Sequence, residues 1–391
     1  ETGSFHLRLM SLMSTLRDGS DDVLVESNEN NERSADVFRL NTRTGRKTLL
    51  SLDRPGDAID WIADANGKLR GVLTMEKATV EKAWWRKSED DKWQLIGEYG
   101  LRDSRTLPVA FDGDGSMIVA SNVGRDTFAL FRWDEKNNVR GEMLAGYSRA
   151  DIDGGLIFDR PRNKIVGVNY DAERPGTAWF DEDVARIAKA VDLAIPDHMN
   201  VLRRGTANRY LISSYSDVDP GKFYLLDVDK KSLESLGAAR QDLKDIKMPP
   251  RKAIRYKARD GLEIPAFLTL PPGRDAKDLP LIMLVHGGPN VRGTHWQWNP
   301  EAAYLAALGY AVLEPDFRGS LGWGKKLFEA GWKQWGRGMQ DDLNDGMDYL
   351  VAQGIVDAKR ACIMGASYGG YAVMEGLARD SGRWKCGVNQ V

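Results

Sequence analysis

Short runs that alternate apolar and polar residues fill positions 20–240, which predicts half-buried β-strands. Aromatic-rich strands recur at Asp36-Val37-Phe38-Arg39-Leu40, Lys82-Ala83-Trp84-Trp85-Arg86, Thr127-Phe128-Ala129-Leu130-Phe131, Thr177-Ala178-Trp179-Phe180 and Lys222-Phe223-Tyr224-Leu225-Leu226. Their starts are 46, 45, 50 and 45 residues apart. Between them lie turns that each open another strand. Asp64-Ala65-Asn66-Gly67-Lys68 precedes 69–74, Asp112-Gly113-Asp114-Gly115-Ser116 precedes 117–121, Arg162-Asn163-Lys164 precedes 165–169, and Ala207-Asn208-Arg209 precedes 210–215. Asn and Gly tolerate positive φ and suit tight hairpins. A period of about 45 residues with several short strands in each repeat is a β-propeller pattern, and about five blades are countable. The aromatics are expected to fill the space between adjacent blades. Residues 181–193 interrupt the pattern with a helix whose face carries Val184, Ile187, Ala188 and Val191.

The pattern changes after Met248-Pro249-Pro250. Residues 253–258 and 262–270 form two strands joined at the turn Arg259-Asp260-Gly261. Leu281-Ile282-Met283-Leu284-Val285 is a continuous apolar run, as in a strand covered on both faces. A short helix over 301–308, a strand over 310–314, an amphipathic helix over 341–353 with acids in its first turn, a strand over 360–364, a helix over 371–379 and a strand over 385–391 follow. Strands alternating with helices predict a mainly parallel, doubly wound α/β sheet. The reading is therefore mixed: a partial β-propeller over 1–245, then the N-terminal part of an α/β-hydrolase domain over 246–391.

Composition changes little in this picture. The 42% hydrophobic and 29% charged residues suit a globular protein, and 391 residues suit two domains. A net charge of −2 gives no electrostatic case for nucleic acid or an anionic membrane. No stretch approaches the roughly 18 apolar residues of a membrane span, and no targeting segment is visible. This suits a soluble protein: cytoplasmic, or periplasmic or secreted if a leader has been removed. The two cysteines, Cys362 and Cys386, cannot make a disulfide framework; both fall in apolar runs and read as buried thiols. The acidic groups Glu89-Asp90-Asp91 and Asp217 read as solvated loop residues, so no metal is assigned.

The chemistry sits near the C-terminus. Gly365-Ala366-Ser367-Tyr368-Gly369-Gly370 follows a strand and opens a helix, the context of a nucleophile elbow. Ser367 is the candidate nucleophile. Upstream, His286-Gly287-Gly288-Pro289 leaves a buried strand directly. A tetrahedral intermediate needs donors aimed at its oxyanion, and small residues expose backbone N–H groups. The amides of Gly288 and Tyr368 are the candidate donors. His286 and Gly287 support that loop, with the His286 ring holding the turn rather than acting in catalysis. Pro289 cannot donate and stiffens the exit.

These two motifs, with Pro315-Asp316-Phe317-Arg318-Gly319-Ser320-Leu321-Gly322-Trp323-Gly324 between them, resemble the prolyl oligopeptidase family of serine peptidases. Within it the resemblance is nearest to the acylaminoacyl-peptidase and dipeptidyl-aminopeptidase-like branch. It is strong over 253–391 and weak over 1–245. It implies an N-terminal propeller, a C-terminal α/β-hydrolase domain, and Ser367 attacking a peptide carbonyl to form an acyl-enzyme that water releases. It implies peptide substrates, with the propeller restricting entry to short or unfolded peptides, and neither metal nor organic cofactor.

The resemblance also implies an Asp and then a His beyond the nucleophile. Only 24 residues follow Ser367, and none is a histidine; His6, His198, His286 and His295 all precede it. His295 reads as a loop or surface residue, and Asp380 stands too close behind the elbow helix to be the acid. The expectation is a fragment of a longer peptidase, lacking both ends and catalytically poor by itself. An esterase of the same fold and a non-catalytic propeller scaffold with a degenerate hydrolase domain are the alternatives. The propeller argues against the first and the intact elbow against the second.

Overall fold

The computed structural model of the protein describes residues 9–16 and 18–390. His6, and Val391 at the end of the last expected strand, lie outside the described residues. The chain divides into two compact units, Glu1–Tyr147 with Ile152–Ile165, and Ser148–Asp151 with Val166–Val391.

Among the described residues, five antiparallel sheets precede residue 245, four of them four-stranded and one three-stranded. Each is a meander, so strands adjacent in sequence are adjacent in space. The aromatic runs fall on the third strand of every sheet: Asp36–Asn41, Val80–Trp85, Ala129–Asp134, Gly176–Trp179 and Lys222–Asp227. The turn residues act as their chemistry dictates. Asp64 Oδ1 accepts the amides of Asn66 and Lys68 at 2.9 and 3.0 Å, and Gly67 takes φ +77°.

Within the first unit, cores form where one sheet faces the next. Trp85 packs with Ile62, Phe111, Met117, Val119 and Phe131 of two consecutive sheets. Trp61, Leu69 and Val72 pack in the same way with Leu24 and Val37. In the second unit the helix Glu182–Ala194 is capped by Asp181, which accepts the Val184 amide at 3.2 Å. Its Ala188 and Val191 pack on Leu202, Tyr210 and Ile212 of the next sheet, with Ile187 partly buried beside them.

The last antiparallel strand before the change of architecture ends at Ala238, and the next strand, Arg251–Lys257, opens a six-stranded sheet. Its spatial order is Arg251–Lys257, Glu263–Thr269, Ala311–Pro315, Leu279–Val285, Val356–Ala366, Cys386–Gln390. The first two strands form a hairpin and join the third antiparallel; the remaining neighbours are parallel. The sheet is thus mixed, with four mutually parallel strands. The helices Pro300–Ala307, Gly338–Ala352 and Tyr368–Arg379 match the three expected. A fourth, Lys325–Ala330, was not foreseen; it is six residues long and has no side-chain cap to announce it.

The cysteine reading is corrected. Cys362 and Cys386 form a disulfide. They are register partners on adjacent parallel strands, a juxtaposition that composition and spacing do not reveal. Cys386 is exposed, because its strand is the last of the sheet among the described residues.

Trp85 is 1% exposed, and its Nε1 donates to Asn138 Oδ1 at 2.9 Å. Trp85→Ala should cost about 3–5 kcal/mol, since it empties a core shared by two sheets. The urea midpoint, monitored by circular dichroism, measures this; a loss below about 1 kcal/mol would mean that the two sheets do not share that core.

Candidate active site

The register of two parallel strands brings the two sequence motifs together. Val285 pairs with Gly365, so the residues that follow each strand emerge side by side. One strand delivers His286 and Gly287, the other Ala366 and Ser367. A methyl group at Gly287 would lie 3.4 Å from Ser367 Cβ and 3.9 Å from its Oγ. Gly287 and the serine are therefore neighbours.

Ser367 is exposed and takes φ 55°, ψ −119°, left-handed for a residue that has a Cβ. Such a conformation costs about 1–3 kcal/mol and persists only where its surroundings impose it. Here the Ser367 amide donates to Gln390 O and the Tyr371 amide to Ser367 O, both at 3.0 Å. The helix passes so close behind that a methyl at Gly369 would lie 2.2 Å from Val285 O. Tyr368 begins the helix Tyr368–Arg379, so its N–H has no intrahelical acceptor and points out of the first turn.

His286 does not reach for the serine. Its Nδ1 lies 2.7 Å from Gly287 O and its Nε2 3.0 Å from Ser320 Oγ. A carbonyl only accepts, so Nδ1 carries the proton and Nε2 accepts from the Ser320 hydroxyl. The ring stacks on Phe317 at 4.4 Å and is neutral; burial holds it below its ordinary pKa, while the Asp316 carboxylate pulls the other way. Phe317 in turn touches Tyr368 at 5.3 Å, and Trp335 meets Tyr368 edge-on at 4.8 Å. Burial pushes the Tyr368 phenol well above its usual range, so it stays protonated.

The other described histidines are engaged elsewhere. His295 pairs with Asp171, and His198 lies 2.8 Å from Pro196 O and 3.4 Å from Asp219. Asp380 sits at the end of the elbow helix, where Asn344 and Arg379 bond it. Among the described residues no cluster of His, Cys, Asp or Glu is arranged to hold a metal ion. No described helix is long and apolar enough to cross a membrane.

Comparison with known proteins identifies the family. Residues 296–391 match the prolyl oligopeptidase family. Dipeptidyl aminopeptidase BIII of Pseudoxanthomonas mexicana is 30% identical over 94% of this chain and 54% of its own length. Dipeptidyl peptidase family member 6 of Caenorhabditis elegans is 27% identical over 95% of this chain and 54% of its own. The chain belongs to the prolyl oligopeptidase family. It spans about half the length of these curated relatives. Two solved structures share its fold. A puromycin hydrolase superposes with a TM-score of 0.63 at 17% identity, over 94% of this chain and 59% of the other. Porphyromonas gingivalis dipeptidyl peptidase 4 gives 0.64 at 19%, over 97% and 56%.

Sequence reasoning passed over part of this candidate site. Trp335 and Tyr371 flank Tyr368; Tyr371 lies one turn on in the same helix, whereas Trp335 carries no local signal, because the loop that bears it meets that helix only in the folded chain. Asp316 was noted only as part of a resembling segment, although a carboxylate directly after a buried strand signals a buried acceptor.

The His286 environment has a pH consequence. An unfolded imidazole takes up a proton near about pH 6.5, whereas the folded ring resists it. Below that pH the unfolded state binds more protons, so this contribution to stability is complete above about pH 6.5 and is lost on acidification. His286→Gln should flatten the fall in urea midpoint from about pH 7 to about pH 5. Parallel pH profiles of the two proteins would refute the assignment.

Proposed function

We propose that Ser367 is the nucleophile of a serine peptidase that hydrolyses short peptides through an acyl-enzyme. The observation carrying this reading is an exposed serine held at positive φ between a parallel strand and a helix, with Gly287 beside it. The amides of Gly288 and Tyr368 would hold the oxyanion of the tetrahedral intermediate. His286 and Gly287 shape the loop that carries the first of them. The curated relatives named for dipeptidyl aminopeptidase and peptidase activity favour peptide over ester substrates. In the same reading, 1–245 is part of a β-propeller of about five blades, and 246–391 the first part of an α/β-hydrolase domain.

None of the described histidines is bonded to Ser367, so the general-base role falls to none of them.

The test uses the complete gene product. A fluorophosphonate should form an adduct located at Ser367 by peptide mass spectrometry, and Ser367→Ala should abolish it. Peptide anilides should be cleaved with a higher kcat/KM than short-chain esters. Absence of the adduct would leave the scaffold reading; preference for esters would leave the esterase.

A further inference from the structure

The segment 315–324 links the two motifs in sequence, and the structure gives it a physical task. It lies as a strip under the oxyanion loop and is bonded to it along its length. Asn290 Nδ2 donates to Gly319 O at 2.9 Å, and the Leu321 amide donates to Val291 O at 3.0 Å. Ser320 holds His286, as described above. The strongest tie is Asp316. Its carboxylate is wholly buried, at 0% exposure. Oδ1 accepts the amides of Gly293 and Thr294 at 3.0 and 3.2 Å, and Oδ2 accepts Thr294 Oγ1 at 2.5 Å and Trp323 Nε1 at 2.7 Å. His286 Nε2 stands 3.6 Å from Oδ1, and Arg292 Nε 3.7 Å from Oδ2.

The loop from 286 to 294 is thus held at both ends. Strand register and the Ser320 bond set its start, and Asp316 clamps its return. Gly287, near the fixed start, neighbours Ser367, and Gly288 follows it directly. Glycines have no side chain with which to hold themselves in place, so their position must be imposed from outside. Charge-assisted bonds in a dry interior do this more firmly than neutral ones.

We propose that Asp316 is a positioning residue for the reaction: its buried carboxylate fixes the return of the oxyanion loop and thereby the direction of the Gly288 amide. This rests on the peptidase reading. It differs from a merely structural anchor in a measurable way. An anchor supports the fold, whereas a positioning group is felt in the transition state more than in the bound substrate.

The experiment again uses the complete gene product. Asp316→Asn keeps the shape but turns one acceptor oxygen into a donor facing Thr294 or Trp323. It should lower kcat on a peptide anilide roughly 10- to 100-fold, the cost of a small misplacement, and leave KM nearly unchanged. Affinity for a peptide aldehyde, which forms an oxyanion on the serine, should fall by the same factor, while affinity for a cleaved product peptide stays. Thr294→Val, which removes one donor and leaves the carboxylate, should show the same pattern with a smaller loss, and it carries the test if Asp316→Asn does not fold. A folded Asp316→Asn, or in its place a folded Thr294→Val, with wild-type kcat and aldehyde affinity overturns the proposal. So does a variant whose only change is a lower melting temperature. Failure of the wild type to label at Ser367 is a separate outcome, which removes the peptidase reading itself.

Discussion

The pairing of Leu279–Val285 with Val356–Ala366 is the constraint on which the site depends. Parallel strands run in the same direction, so their C-terminal ends open at the same edge of the sheet. With Val285 opposite Gly365, the two loops leave at one level. A slip of one residue would turn every side chain of the moving strand to the other face. The apolar run forbids that slip poorly by itself, since both faces are buried. The glycines forbid it better. The helix behind the elbow approaches Val285 O so closely that only one alignment leaves room for it.

Around this register, buried charges of the second unit meet opposite charges. Arg318 meets Asp342 through its amide at 2.9 Å and through Nε and Nη2 at 2.9 and 2.8 Å, and reaches Asp260 at 2.8 Å. Arg251 meets Glu314 at 2.7 Å and also donates to the carbonyls of His295 and Gln297. Such pairs contribute little net stability against an apolar equivalent, but removing one partner costs about 3–5 kcal/mol. Their effect is to make one arrangement far better than its neighbours. Arg318 lies two residues from Asp316 and two from Ser320. The Arg318–Asp342 pair thus fastens to the helix Gly338–Ala352 the same strip that fastens the oxyanion loop.

What could be read from the sequence follows from range. Turns and strands of the front half were legible because Asn, Asp and Gly act within a few residues, and the aromatic runs mark the third strand of each sheet. The strand–Ser367–helix order was legible for the same reason. The helix Gly338–Ala352 was placed, but the partners of its acids were not legible. Asp341 does stand in the first turn, where the helix dipole favours it, yet Arg379 and Arg259 also claim it, and Asp345 is held by Arg259. Those partners lie tens of residues away and leave no periodic trace. The Cys362–Cys386 bond was missed for a related reason, since it depends on which two strands are neighbours in the sheet and in what register.

The strand Cys386–Gln390 carries more of the site than its exposure suggests. Gln390 O accepts the amide of Ser367, which ties the serine's own backbone to the sheet. The disulfide joins the same strand to the elbow strand five residues before the serine. The two links act at opposite ends of one short ladder, Cys362 with Cys386 and Ala366 with Gln390. A positive-φ serine stores strain that relaxes whenever its flanks can shift. Cross-linking one end of the ladder limits fraying at the other. The geometry that exposes the Ser367 hydroxyl is thus sustained less by the serine's local sequence than by a neighbour with no chemical role.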